Sequence, residues 1–161
     1  MDTINIRVLT EVVACQDCKE VNHLYYISDF AYGCRLYVYG DGIRYAYLNL
    51  IEDVVFDTFR KVLRSILSTY NIDVANLDMP DIVNNTFGIT FDDIDGFQVS
   101  SMEKRRCKYC SSTHFVGNLL EPETVAEIEV PLITHRNWML LSDNEKNERI
   151  VEALKAIGVI K

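Results

Sequence analysis

The chain has 161 residues, is 48% apolar and 25% charged, and carries a net charge of −8. That length can bury a sizeable core, and no apolar run approaches the roughly 20 residues of a membrane span. Charge of this sign repels phosphate backbones, which disfavours general nucleic-acid binding. Cysteines number five, an odd count, and Met1-Asp2-Thr3-Ile4-Asn5-Ile6-Arg7 lacks the basic start and apolar stretch of an export signal. The expected location is therefore a reducing cytoplasm, with thiols available to metal rather than tied in disulfides.

In chain order, Ile4, Ile6 and Val8 alternate with polar residues and predict a short strand. Cys15-Gln16-Asp17-Cys18 follows, and then Val21 to Ile27, a second strand rich in β-branched and aromatic residues. Leu36 to Tyr39 and Ile43 to Leu48 flank Gly40-Asp41-Gly42 and predict a hairpin. Two registers are open. A three-residue loop pairs Tyr37 with Tyr45 and gathers Tyr37, Tyr39, Tyr45 and Tyr47 on one face. An Asp41-Gly42 turn sets Leu36 and Val38 against Tyr47 and Tyr45 and splits the tyrosines, because a one-residue slip turns every side chain over. We favour the first.

From Asn49 to Tyr70 the period becomes helical, with Val55, Phe59, Val62, Leu63, Ile66 and Tyr70 on one stripe and Asn49/Glu52 as a capping box. Arg60, Lys61 and Arg64 are expected to be solvated. Pro80, Gly88 and Gly96 break residues 71–103 into loops with one short helix or strand. After Cys107-Lys108-Tyr109-Cys110, Ala126 to Val130 alternates as a strand with one acidic face, and Asn137 to Leu141 reads as another strand. Ser142 and Glu145 open a final amphipathic helix that carries Ile150, Val151, Leu154 and Ile157 and stops at Gly158. The fold class is α+β: antiparallel strands and a hairpin with a zinc knuckle pair, one long central helix and a C-terminal amphipathic helix. We expect one domain over 1–161. Its zinc-binding part is discontinuous, about 8–28 and 104–135, with 29–103 inserted.

Cys15, Cys18, Cys107 and Cys110 form two Cys-x-x-Cys pairs with 88 residues between Cys18 and Cys107. Two residues between ligands let one turn present both sulfurs to a tetrahedral ion, so one structural zinc with four cysteine ligands is expected. Four thiolates also suit an iron–sulfur cluster, and a Cys-x-x-Cys can cycle as a redox pair. The two knuckles resemble those of zinc ribbons, although Lys19 and Ser111 stand where ribbons commonly have glycine. That resemblance implies a rigid platform for protein or nucleic-acid contact. Cys34 has no partner at ligand spacing and reads as a core residue. His23 and His114 lie close enough to the knuckles to join or support them. Lys104, Arg105, Arg106 and Lys108 read as an offset to the thiolate charge, or as a phosphate-binding patch.

Residues 65–103 hold seven acidic residues and no lysine or arginine. This segregation, with no catalytic motif, points to a non-enzymatic protein that binds a basic protein partner, of inhibitor, immunity or adaptor type. Asp78, Asp81, Asp92, Asp93 and Asp95 are the candidate contact residues. The alternative is a nucleic-acid-binding or transcription accessory protein that uses the 104–108 cluster. An enzyme assembled from scattered Asp, His and Tyr residues is the third reading, and a deep pocket holding His23, His114 or His135 beside a carboxylate would be its mark.

Overall fold

Strand β1, Thr3–Cys15, is the spine of a four-stranded antiparallel sheet. The computed structural model describes residues 2–28, 32–100, 103–118 and 124–161. One edge of β1 pairs with β2, Val21–Tyr26, from Leu9↔Tyr26 to Ala14↔Val21. In order of position along the chain, β3 (Cys34–Tyr39) and β4 (Arg44–Asn49) form a separate hairpin. The other edge of β1 holds β5, Phe115–Asn118, beside its last residues, and β6, Thr124–Pro131, along its first eight paired positions.

β1 thus extends well past the short strand expected at Ile4–Val8. Burial runs through Val8, Thr10 and Val12, then changes phase to Val13 and Cys15, and the pairing with β5 is irregular between Val13 and Ala14. A bulge of this kind re-aims the side chains beyond it, here turning Cys15 inward. Because β1 runs into the first knuckle and β5 starts just after the second, the pairing Cys15↔Phe115 brings the two knuckles to one end of the sheet.

The hairpin adopts the register we did not favour: Leu36 faces Tyr47, Val38 faces Tyr45, and Tyr39 faces Arg44. The four-residue turn closes through Gly42 N–H to the Tyr39 carbonyl (3.2 Å) and Ile43 N–H to Asp41 Oδ1 (3.2 Å). Tyr39, Ala46 and Leu48 on one face are thereby buried. Gly42 is required twice over. Its φ is +78°, and a Cβ there would meet Arg106 Cγ at 2.6 Å and the Lys104 carbonyl at 2.7 Å.

The helical period at 49–70 forms α1 at Val54–Thr69. Its cap is Asp53, not Asn49: Asp53 Oδ1 accepts from Phe56 N–H at 2.7 Å, while Asn49 Oδ1 turns to Ile51 N–H at 3.1 Å. Phe59, Leu63, Ile66 and Leu67 are buried, whereas Tyr70 lies at the exposed end. α2 spans Met79–Thr86, a 3₁₀ turn follows at Phe87–Thr90, and α4 spans Asp143–Ala156 with the expected Ser142/Glu145 capping box. Residues 136–139 form a short helix, α3 (Arg136–Met139), where a strand was expected. The reason lies far along the chain. The Asp92 carboxylate accepts from Arg136 N–H (2.6 Å) and Asn137 N–H (2.9 Å), which satisfies the first free donors of a helix.

These helices and the hairpin enclose one core, in which Phe59 lies 5.2 Å from Phe87 and 6.2 Å from Trp138 between ring centres. Ile133 N–H donating to the Tyr47 carbonyl (2.9 Å) ties this core to the sheet, as does Tyr25 against Tyr45 at 5.4 Å. No helix among the described residues is long and apolar enough to cross a membrane.

Candidate metal centre

The two knuckles have the same backbone. In the first, Cys15 N–H donates to the Glu20 carbonyl (2.9 Å) and Lys19 N–H to the Cys15 carbonyl (3.0 Å). In the second, Cys107 N–H donates to the Ser112 carbonyl (2.7 Å) and Ser111 N–H to the Cys107 carbonyl (2.8 Å). Lys19 and Ser111 have φ of +67° and +62°, the left-handed conformation that glycine adopts without strain. Both knuckles thus turn through the same conformation on a residue other than glycine. A non-glycine residue held there costs about 1 kcal/mol.

The sulfurs of Cys15, Cys18, Cys107 and Cys110 all lie within 4.8 Å of one another. Cys15 and Cys110 approach to 3.5 Å, and Cys18 and Cys107 to 3.6 Å. Both distances far exceed a disulfide bond of about 2.05 Å. A tetrahedral ion with metal–sulfur bonds of about 2.3 Å would hold its ligands about 3.8 Å apart. The cluster is therefore close to the size such an ion needs. Cys15 and Cys107 are buried, while Cys110 is exposed.

The electrostatics of the bare sulfurs also ask for a cation. Burial pushes the Cys107 thiol up. The N–H groups of Tyr109 and Cys110, the Asn22 amide and Cys18 outweigh that and bring it to about 6. For Cys18 the Glu20 N–H pulls down, but burial and the three neighbouring sulfurs push it up to about 12. Four crowded sulfurs cannot all become thiolates until positive charge is placed among them.

Asn22, which sequence reasoning missed, holds the two knuckles together. It is 3% exposed, and its Nδ2 donates to Cys107 Sγ (3.3 Å) and to the Glu20 carbonyl (3.1 Å). Its Oδ1 accepts from Lys108 N–H at 3.0 Å. One amide thus bonds the backbone of both knuckles and one sulfur. The available signal was a polar residue one position inside a strand, right after a knuckle; its partners, 85 and 86 residues away, could not be read. Replacing Asn22 with Ala should weaken metal affinity about 10- to 100-fold, as loss of such supporting groups does. Competition with a chromophoric chelator measures this, and unchanged affinity would remove Asn22 from the site.

The remaining candidates are placed as follows. His23 is exposed on β2, and His114 Nδ1 lies 3.6 Å from the exposed Asp17 carboxylate, so neither belongs to the sulfur cluster. His135 does stand beside a carboxylate. Its Nε2 is 2.8 Å from Asp53 Oδ2 and its Nδ1 is 3.1 Å from the Thr90 carbonyl. With 6% and 9% of their side chains exposed, however, this pair is sealed in the core and cannot meet a substrate. Cys34 is half-buried, with Sγ 3.0 Å from the Tyr47 hydroxyl. Of the basic cluster, Arg105 donates to the Tyr25 carbonyl (3.0 Å) and covers the Tyr26 ring, and Arg106 lies 3.4 Å from Glu103. Lys104 and Lys108 alone of the four are exposed.

The acidic span divides in two. Asp78 Oδ1 caps α2 by accepting from Asp81 N–H (3.1 Å), and Asp92 caps α3 and accepts from Thr134 Oγ1 (2.7 Å). Asp81, Asp93 and Asp95 are exposed, and none forms an ion pair among the described residues. Compared with known proteins, the chain matches no family model, no curated sequence and no solved structure.

Proposed function

We propose that the protein is a non-enzymatic, zinc-stabilised cytoplasmic protein that binds a second protein with a basic surface. The sulfur cluster carries the first half of this reading. Four thiol groups converge from two like turns to within 4.8 Å of one another, as many ligands as one tetrahedral ion takes. A closed site of that kind leaves no position for substrate, so its work is structural. Zinc suits two separate and equivalent knuckles, and the ribbon resemblance fits the same use.

The second half rests on Asp81, Asp93 and Asp95, which are exposed, whereas Asp78, also exposed, and the half-buried Asp92 are engaged as helix caps. Their charge has no basic residue to offset it across 65–103. Carboxylates so placed would steer a basic partner and select against acidic ones. Changing all three to Lys is expected to abolish capture of that partner at about 50 mM salt, where screening is weak. Wild-type capture should also fall as salt is raised. Equal capture by the two chains at low and moderate salt would take the acidic surface out of the function.

A further inference from the structure

Three arginines break the charge pattern of this acidic chain. Arg60 and Arg64, one turn apart on α1, join Arg35 of β3 around a cavity of about 290 Å³ between α1, α2 and the hairpin. Phe56, Met79 and Val83 supply apolar lining, and all three pack on or within the core. None of the three guanidiniums has a carboxylate partner among the described residues. Arg35 Nη1 donates to the adjacent Cys34 carbonyl (3.0 Å), and Arg60 lies 5.4 Å from the centre of the Phe56 ring.

With 24 acidic residues against 16 basic ones, carboxylate partners are plentiful in this chain. Yet among the described residues these three cations stand together without one. Like charges gathered around a concavity repel one another, and a bound anion would relieve that repulsion. The planar guanidinium fork matches the two oxygens of a carboxylate or phosphate. The apolar lining beside it would accept a ring or short chain.

We infer that this cavity binds a small organic anion, a single phosphate or carboxylate joined to an apolar group. Its volume is at the lower end for small-molecule sites, which limits the ligand to a small one. A single nucleic-acid strand would instead call for a series of stacking rings along an open groove, and the lining here offers only Phe56. The site shares no residue with the metal centre or with Asp81, Asp93 and Asp95, so it stands or falls separately from the function proposed above.

The test is calorimetric titration of the metal-loaded full chain with phenyl phosphate, beside inorganic phosphate and benzyl alcohol. Phenyl phosphate is expected to bind with a Kd below about 1 mM, and each of the other two at least about tenfold more weakly, since each lacks half of what the cavity recognises. The Arg60→Ala/Arg64→Ala double variant should lose at least about tenfold in phenyl phosphate affinity, the loss of two charge-assisted contacts. Its unfolding temperature should hold, because both sites are exposed and alanine favours helix. Phenyl phosphate binding that is absent, or equal in the double variant, overturns the inference. So does inorganic phosphate or benzyl alcohol binding as well as phenyl phosphate. A phosphotyrosine peptide that binds more than about tenfold tighter than phenyl phosphate would replace the small molecule with a protein ligand and overturn the assignment.

Discussion

Replacing Cys107 with Ser is expected to release the metal and lower the stability of the fold by about 4 kcal/mol. The size follows from chain entropy. A cross-link between segments about 90 residues apart removes roughly that much freedom from the unfolded chain, and metal clips act by the same constraint. Cys107 is also the sulfur to which Asn22 donates, and it is buried. Denaturant unfolding with and without a strong chelator measures the effect. The chelator should destabilise the wild-type chain by a similar amount and leave the Cys107→Ser variant unchanged. Cys34→Ser is the control: it lies outside the cluster, so its metal content and chelator response should match those of the wild type. A variant as stable as the wild type, still holding its ion, would show that the sulfurs do not act as a clasp.

The second large effect is expected at Asp53, far from the metal. Asp53→Ala should cost about 3 kcal/mol, combining a lost helix cap with a buried histidine left without its partner. Asp53→Asn keeps an oxygen for Phe56 N–H and should cost only about 1 kcal/mol. The pair also sets an acid limit. Burial pushes the Asp53 carboxyl up, but His135 and the N–H groups of Phe56 and Val55 outweigh it and hold the carboxyl below its ordinary value. Asp92 is held low in the same direction, with burial opposed by Thr134, Asn137 and Arg136. A depressed carboxyl stabilises the fold above its unfolded value of about 3.9, and this is lost as pH falls through the lower folded value. Wild-type stability should therefore fall below about pH 4, and Asp53→Asn should flatten part of that fall. An Asp53→Asn curve parallel to the wild type would detach the pair from acid unfolding.

The features that could be read from the sequence are those whose cause is local. Each knuckle is a short turn whose two sulfurs are fixed by their own neighbours, and the Ser142/Glu145 cap lies within one turn of its helix. That the two knuckles meet depends on β5 pairing with the end of β1 across 100 residues, which spacing alone could suggest but not place. Distant partners account for most of what was misread. The apolar run Trp138 to Leu141 suits strand or helix equally, and the deciding donors, Arg136 N–H and Asn137 N–H, go to Asp92. The hairpin register turned on which face the helices would cover, so Tyr39, Ala46 and Leu48 had to be seen against the core.

The acidic span shows the same limit in another form. Asp73, Asp78 and Asp92 satisfy free N–H groups at helix starts, so part of the charge that read as a binding surface is capping chemistry. The arginines of α1 are exposed, as periodicity placed them outside the buried stripe. Only the packing of α2 and β3 beside them makes a cavity. The junction of the expected insertion near residue 29 adjoins residues 29–31, which lie outside the described residues.

The most direct test of the four-thiolate site is zinc-edge X-ray absorption on the full chain, with metal content measured on the same sample. One zinc per chain, with four sulfur neighbours at about 2.3 Å and no lighter ligand, is the predicted result. A chain without zinc, or a zinc bound by nitrogen or oxygen in place of any of the four sulfurs, would contradict it.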